Sequence, residues 1–335
     1  MNKPINKKRI LQVGKYLLLL AVAAGLLYIS FKDIKWSDLQ DSLRQTNYWW
    51  IAASMVVGYA AFLFRARRWQ FLFEPLGYKP SFKHTYDAVM LTYLANFAMP
   101  RFGEIARCGA LQKTDKIPFE SSLGTVVLER TFDMVCLIII TVVVVFFRID
   151  MFKELLAKTW TQPTSATHTG ISYGIYIIVV VILVLAIATF IFRHKIKQWK
   201  ITQKLKTIGS NLVNGLKSGF RLQQRGKFFF YTVLIWIAYW LQSYTVVKAM
   251  PDTQFLSGVD TLFLMIVGGL GWVVPVQGGI GAYHFLISQA LLLYGIDKGV
   301  VFATISHETQ ALIMILFGFI SFASVMLQSK RNAHG

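Results

Sequence analysis

The sequence predicts an all-α polytopic membrane protein with six spanning helices, two re-entrant hairpins broken at Pro and Gly in an inverted repeat, and cytoplasmic N and C termini. Three observations carry this reading. Only 15% of the 335 residues are charged and 55% are hydrophobic, against about 25% charged in an ordinary soluble domain. Mean hydropathy is +0.51. Apolar runs recur that approach or exceed the roughly 20 residues needed to cross a bilayer. Finally, positive charge is shared very unevenly among the segments between those runs.

The runs fall at 14–31, 48–64, 135–147, 171–192, 228–247 and 300–327. The first comes after Lys7, Lys8 and Arg9, as in a secretory signal, but no small-residue cleavage site follows it, only Phe31-Lys32-Asp33-Ile34-Lys35. It therefore reads as an uncleaved span. Two further apolar stretches are interrupted. The stretch 87–99 ends at Met99-Pro100-Arg101-Phe102-Gly103 and resumes over 104–111; the stretch 261–274 ends at Pro275-Val276-Gln277-Gly278-Gly279-Ile280-Gly281 and resumes over 282–294. Each resumes for too few residues to span, so each reads as a hairpin that enters and leaves on one side.

Charge tests that count. With six spans and two hairpins, 26 of the 35 Lys and Arg residues lie in inside segments: 1–15, 65–83, 101–118, 193–227 and 330–331. Counting each hairpin as one crossing would put segment 193–227, with ten basic residues and no acidic one, outside. That violates the positive-inside rule. The net charge of +19 thus belongs to cytoplasmic loops, and no nucleic-acid partner is expected. Segment 193–227 also repeats apolar residues at roughly helical spacing, which fits a basic amphipathic helix on anionic inner-leaflet lipid; a plain solvated loop is the competing reading.

One integral membrane domain, 1–335, accommodates the pattern. Repeat unit one covers about 46–147, a linking span 171–192, the basic segment 193–227, and repeat unit two about 228–327. Each unit is a span, a Pro-Gly break and a long helix carrying a buried acid, Glu129 or Glu308. Three crossings separate the units, which opposes them in the membrane. Opposed repeats with discontinuous helices belong to transporters, whose substrates bind where the breaks meet. Two unrelated kinks would be the simpler account.

Candidate chemistry lies at those breaks and acids. Glu129 and Asp133 are one turn apart on one face of a helix, with Arg130 about 100° away; Glu129 stands about 15 Å from the start of a helix beginning at Phe119. Intramembrane charges default to a functional reading, with a packing ion pair as the alternative. The helix start after Asn96, Pro100, Arg101 and Gly103 offers backbone N–H groups to an anion, with Arg101 and Arg107 to reinforce them. Glu104 is expected to pair with Arg101 or Arg107. Gly278, Gly279 and Gly281, after Pro275, repeat the backbone feature without arginines. Glu308 stands at the mirror depth of Glu129, and His307 beside it is a weaker candidate for substrate contact or proton coupling. Cys108 and Cys136 have no metal spacing. ATP-site, nucleophile-elbow and H-E-x-x-H motifs are absent from the sequence, so no enzyme, cofactor or metal site is expected.

The pattern Asn96-x-x-x-Pro100-Arg101-x-Gly103-Glu104-x-x-Arg107, then Val127-x-Glu129-Arg130-x-x-Asp133, resembles the flippase-like integral membrane family that includes the transmembrane region of lysylphosphatidylglycerol synthases. Pro275-x-x-Gly278-Gly279-x-Gly281 and Glu308 fit its second half. The resemblance implies a flippase or translocase in the cytoplasmic (inner) membrane, moving a phospholipid or polyprenyl-linked headgroup. The chain stops at Gly335 after the last span, so only the translocating part is matched and a partner synthase would be encoded separately. Arg101, Arg107 and Arg130 would attract the headgroup phosphate; Glu129 and Glu308 would contact a cationic headgroup or carry protons. A membrane-embedded transferase or accessory subunit in envelope lipid or glycan synthesis is the alternative.

Overall fold

The computed structural model describes residues 36–148 and 222–334, with a few positions between 21 and 30. Regular structure there is helical throughout. After a short helix α1 (Trp36–Gln45), Asn47 accepts the Trp49 N–H at 3.1 Å and starts α2 (Tyr48–Phe71). The apolar run ends at Phe64, but Arg65, Arg67 and Arg68 are good helix formers and carry the helix on to Phe71. Ser81 caps α3 (Phe82–Ala98) through the His84 N–H. Met99 then turns extended because Pro100 crowds the helical conformation of the residue before it.

The chain resumes as α4 (Gly103–Thr114) and α5 (Phe119–Phe147). The second half begins with α6 (Arg225–Ala249). A reciprocal Ser257–Asp260 capping box opens α7 (Gly258–Val273), and α8 (Ala282–Leu292) and α9 (Gly299–His334) come after the Pro275 break. The lengths 24, 17, 12 and 29 in the first half are answered by 25, 16, 11 and 36 in the second. Long helix, shorter helix, break, shorter helix, long helix therefore occurs twice.

The opening helices of the two halves run antiparallel. Asn47 N–H donates to the Ala249 carbonyl at 2.8 Å, Ser54 Oγ to the Gln242 carbonyl at 3.2 Å, and Arg68 to Thr232 Oγ1 at 3.5 Å. Helices α3 and α9 are antiparallel too, with Leu94 against Gly318 and Asp87 bonded to Ser324 Oγ at 2.7 Å. Within the second half α8 doubles back along α7, Gly268 facing Tyr283 and Ile287, and Gly271 facing Tyr283.

Two apolar cores fix these helices. One gathers Val246, Val247, Leu264, Ile287, Leu291 and Val301; the other joins Phe62 and Met90 to Ile313 and Met314. These contacts lie within one compact unit, which includes the described residues up to Asp133 and from Leu222 onward; the part of α5 from Met134 belongs to a second unit.

Among the described residues four helices are long and apolar enough to cross a membrane: Tyr48–Leu76, Phe119–Phe147, Arg225–Ala249 and Gly299–Ser329. Val233 and Ile237 on α6 and Leu312, Leu316 and Phe319 on α9 turn outward, as lipid-facing residues do. The expected spans 14–31 and 171–192, and all but the end of the basic segment 193–227, lie outside the described residues.

Candidate functional site

Helix α2 brings Arg65 and Arg68 to one face, three residues apart; α4 brings Arg107, one turn past the first break; α5 brings Glu129 and Asp133. The five charges meet. Arg65 Nη2 pairs with Glu129 Oε1, and lies 3.4 Å from Asp133 Oδ2. Arg68 Nη1 reaches Asp133 Oδ1 at 2.7 Å and its Nη2 is 3.4 Å from Glu129 Oε1. Arg107 Nη1 closes the set on Glu129 Oε2 at 3.0 Å. Glu129 is thus shared by three guanidinium groups.

Burial makes this cluster costly to break. Arg68 and Glu129 are 0% exposed and Arg107 1%. Removing one partner of a buried pair costs about 3–5 kcal/mol, because the charge left behind has no water to solvate it. Further groups hold the arginines in place. Arg65 Nη1 donates to Tyr239 OH at 2.9 Å. The Arg107 guanidinium lies 4.4 Å over Trp69, whose indole N–H donates to Thr125 Oγ1 at 3.0 Å. Three guanidinium groups face two carboxylates, so the ionised cluster holds one surplus positive charge. Arg107 Nε and Nη2 make no hydrogen bond among the described residues. Chemically the cluster suits an anion that accepts from several guanidinium N–H groups at once, such as a phosphate.

The structure brings together only some of the residues singled out from sequence. Arg107, Glu129 and Asp133 are in the cluster. Glu104 pairs with Arg130 at 3.5 Å, both partly exposed; the expected pairing with Arg101 or Arg107 is corrected, because Arg107 turns inward to Glu129. Arg101 is exposed in the turn itself, with φ of 62°, and does not join Arg107. The Gly103 N–H, expected to be open to an anion, is taken by Asn96 Oδ1 at 2.8 Å. Gly103 is needed for that closeness, since a Cβ there would lie 2.3 Å from the Thr92 carbonyl. Arg65 and Arg68, counted as cytoplasmic loop residues, are instead buried in α2. A signal existed: their i, i+3 spacing, with Trp69 directly after, continues the helical phase of the preceding run.

The second break has different chemistry. Gly278 adopts φ of 56° and Phe97, near the end of α3, packs over it: a Cβ at Gly278 would be 2.3 Å from that ring. The two breaks therefore touch. His307 Nε2 lies 2.8 Å from the Gly278 carbonyl and its Nδ1 3.1 Å from Glu308 Oε1. The ring stacks on Trp272 at 4.9 Å and 14°. His284, at the start of α8, is 4.9 Å from His307 ring to ring. Glu308 is 63% exposed at its side chain, which corrects the reading of it as a buried counterpart of Glu129. Gly279 and Gly281 also take positive φ around this turn.

Comparison with known proteins agrees with this architecture. The family described as the lysylphosphatidylglycerol synthase transmembrane region matches residues 16–323. A UPF0104 membrane protein of Methanocaldococcus jannaschii is 27% identical over 286 residues, covering 77% of this chain and 80% of that protein. No solved structure matches. A match over most of the length, on a helical unit with several apolar helices, decides the class: the chain is a membrane protein and belongs to the lysylphosphatidylglycerol synthase transmembrane-region family.

Proposed function

We propose that the protein is a flippase or translocase that moves a phospholipid or lipid-linked headgroup across the cytoplasmic membrane. The observation that carries this is the buried cluster of Arg65, Arg68, Arg107, Glu129 and Asp133, with its surplus positive charge one turn from a break that touches a second break. A headgroup phosphate is the anion such a cluster would receive from lipid. Arg130 and Glu104, half-exposed beside it, form the entrance; a phosphate oxygen would displace Glu104 from Arg130 before reaching Arg107. In this reading α3–α4 and α7–α8 are re-entrant hairpins of an inverted repeat, among six spans with cytoplasmic termini. The antiparallel run of α2 and α6 supports the inversion, because it opposes the first helices of the two units. The family's name adds a lipid context.

The test is headgroup accessibility of labelled lipids in proteoliposomes, comparing phosphatidylglycerol, a cationic-headgroup derivative and a polyprenyl phosphate. Wild type should expose inner-leaflet label of at least one class to an external reagent, with or without a pH gradient. Arg130→Ala, at a half-exposed position that the fold tolerates, should slow that exposure; Glu129→Gln should abolish it. If wild type moves none of the three classes, the proposal fails.

A further inference from the structure

The geometry at the second break points to a metal site. We propose that His284, His307 and Glu308 bind one divalent transition-metal ion, Zn²⁺ above all, with an open coordination position toward the exposed side. The hydrogen on His307 sets the chemistry of the site. A carbonyl oxygen only accepts, so Nε2, 2.8 Å from the Gly278 carbonyl, carries a hydrogen. In a neutral imidazole Nδ1 is then a lone-pair donor. It faces Glu308 Oε1 at 3.1 Å, and an ionised carboxylate is also only a lone-pair donor. Two such atoms at that distance repel unless a cation bridges them.

The third donor selects the cation. One ligand atom from each of His284, His307 and Glu308 can be chosen so that all lie within 4.8 Å of one another. Zn²⁺ holds imidazole N and carboxylate O at about 2.0–2.2 Å, and two imidazoles with one glutamate make the open, three-ligand set of catalytic zinc. Magnesium and calcium prefer oxygen sets; imidazole nitrogen favours Zn²⁺ and its first-row neighbours. The surroundings also fit. A metal-bound histidine usually donates its other ring N–H to a carbonyl or carboxylate, which fixes tautomer and orientation, and the Gly278 carbonyl fills that role. The Trp272 ring, stacked on His307, prevents the imidazole from swinging away. His284 and His307 are buried at 3% and 0% exposure, whereas Glu308 is open, so water or a ligand would complete the coordination from its side.

Metal binding here does not depend on transport, and it can be read directly. Full-length protein without a histidine tag, purified in detergent and stripped with chelator, is dialysed against Zn²⁺ and analysed by mass spectrometry, with affinity from competition against a chromophoric chelator. One zinc per chain is expected, and Co²⁺ loading should give visible d–d bands. His284→Ala and Glu308→Gln should each weaken binding by more than about 100-fold, since loss of a mere orienting partner costs about 10–100-fold. His84→Ala, at a histidine paired with Asp115 at 2.9 Å in another part of the unit, should leave binding unchanged. Glu308→Gln alters an exposed side chain and keeps the fold, so its result stands if a histidine variant misfolds. Zinc well below one per chain, or equal affinity in wild type, His284→Ala and Glu308→Gln, would overturn the proposal and leave a shared proton as the cation between His307 and Glu308.

Discussion

At the first break a side-chain acceptor, Asn96 Oδ1, satisfies the Gly103 N–H; at the second a side-chain donor, His307 Nε2–H, satisfies the Gly278 carbonyl. The backbone problem is shared, because a broken helix frees polar groups that the interior must pair. The long helix after each break then diverges. On α5 Glu129 is buried and Asp133 partly buried, both shared among arginines, whereas on α9 Glu308 is exposed beside the buried His307. A repeated backbone pattern has thus been filled with an arginine–carboxylate cluster at one break and with paired imidazoles beside an exposed carboxylate at the other.

The largest effect should come from Glu129→Gln, which leaves three buried guanidinium groups facing a single carboxylate. It should cost about 3–5 kcal/mol, read as a fall in the detergent melting temperature. The corresponding change on α9, Glu308→Gln in chelator, should barely move that temperature; equal shifts would break the contrast. Next, Gly103→Ala drives a methyl into the Thr92 carbonyl and should cost about 1–3 kcal/mol, seen as lost monodisperse protein on size-exclusion. Gly109→Ala on the same helix meets nothing within 4 Å and should be neutral or stabilising. Asn96→Ala should cost about 1–2 kcal/mol by orphaning the Gly103 N–H. His307→Phe should cost a similar amount by orphaning the Gly278 carbonyl, which would show the two breaks to be equivalent for the backbone. The smallest effect belongs to Arg130→Ala, whose half-exposed pair with Glu104 contributes about 0–1 kcal/mol to stability, though it should slow lipid movement.

Helices and breaks were legible because hydrophobic run length and Pro-Gly punctuation act locally. The helix starting at Phe119, the ends near Ala98 and Val273, and the restarts at Gly103 and Ala282 lie close to where the sequence puts them. Glu129 and Asp133 were legible as a shared face from their spacing. Arg65 and Arg68 were not, because a run-length reading stops at the first charge and assigns the next residues to solvent. Only tertiary packing against α5 and α6 buries them. The Glu104–Arg130 pair and the closeness of His284 to His307 depend on contacts 23 or more residues apart in sequence, where one sequence alone carries no distance information.

The contact of Phe97 with Gly278 has a heritable consequence. The ring occupies the space that any side chain at position 278 would need, so the two positions, distant in sequence, are not free to drift separately. In related chains a residue larger than glycine at 278 should appear together with a smaller one at 97. A suppressor screen on Gly278→Asn, a residue that tolerates the φ of 56° there, should return substitutions at Phe97 before any nearer in sequence.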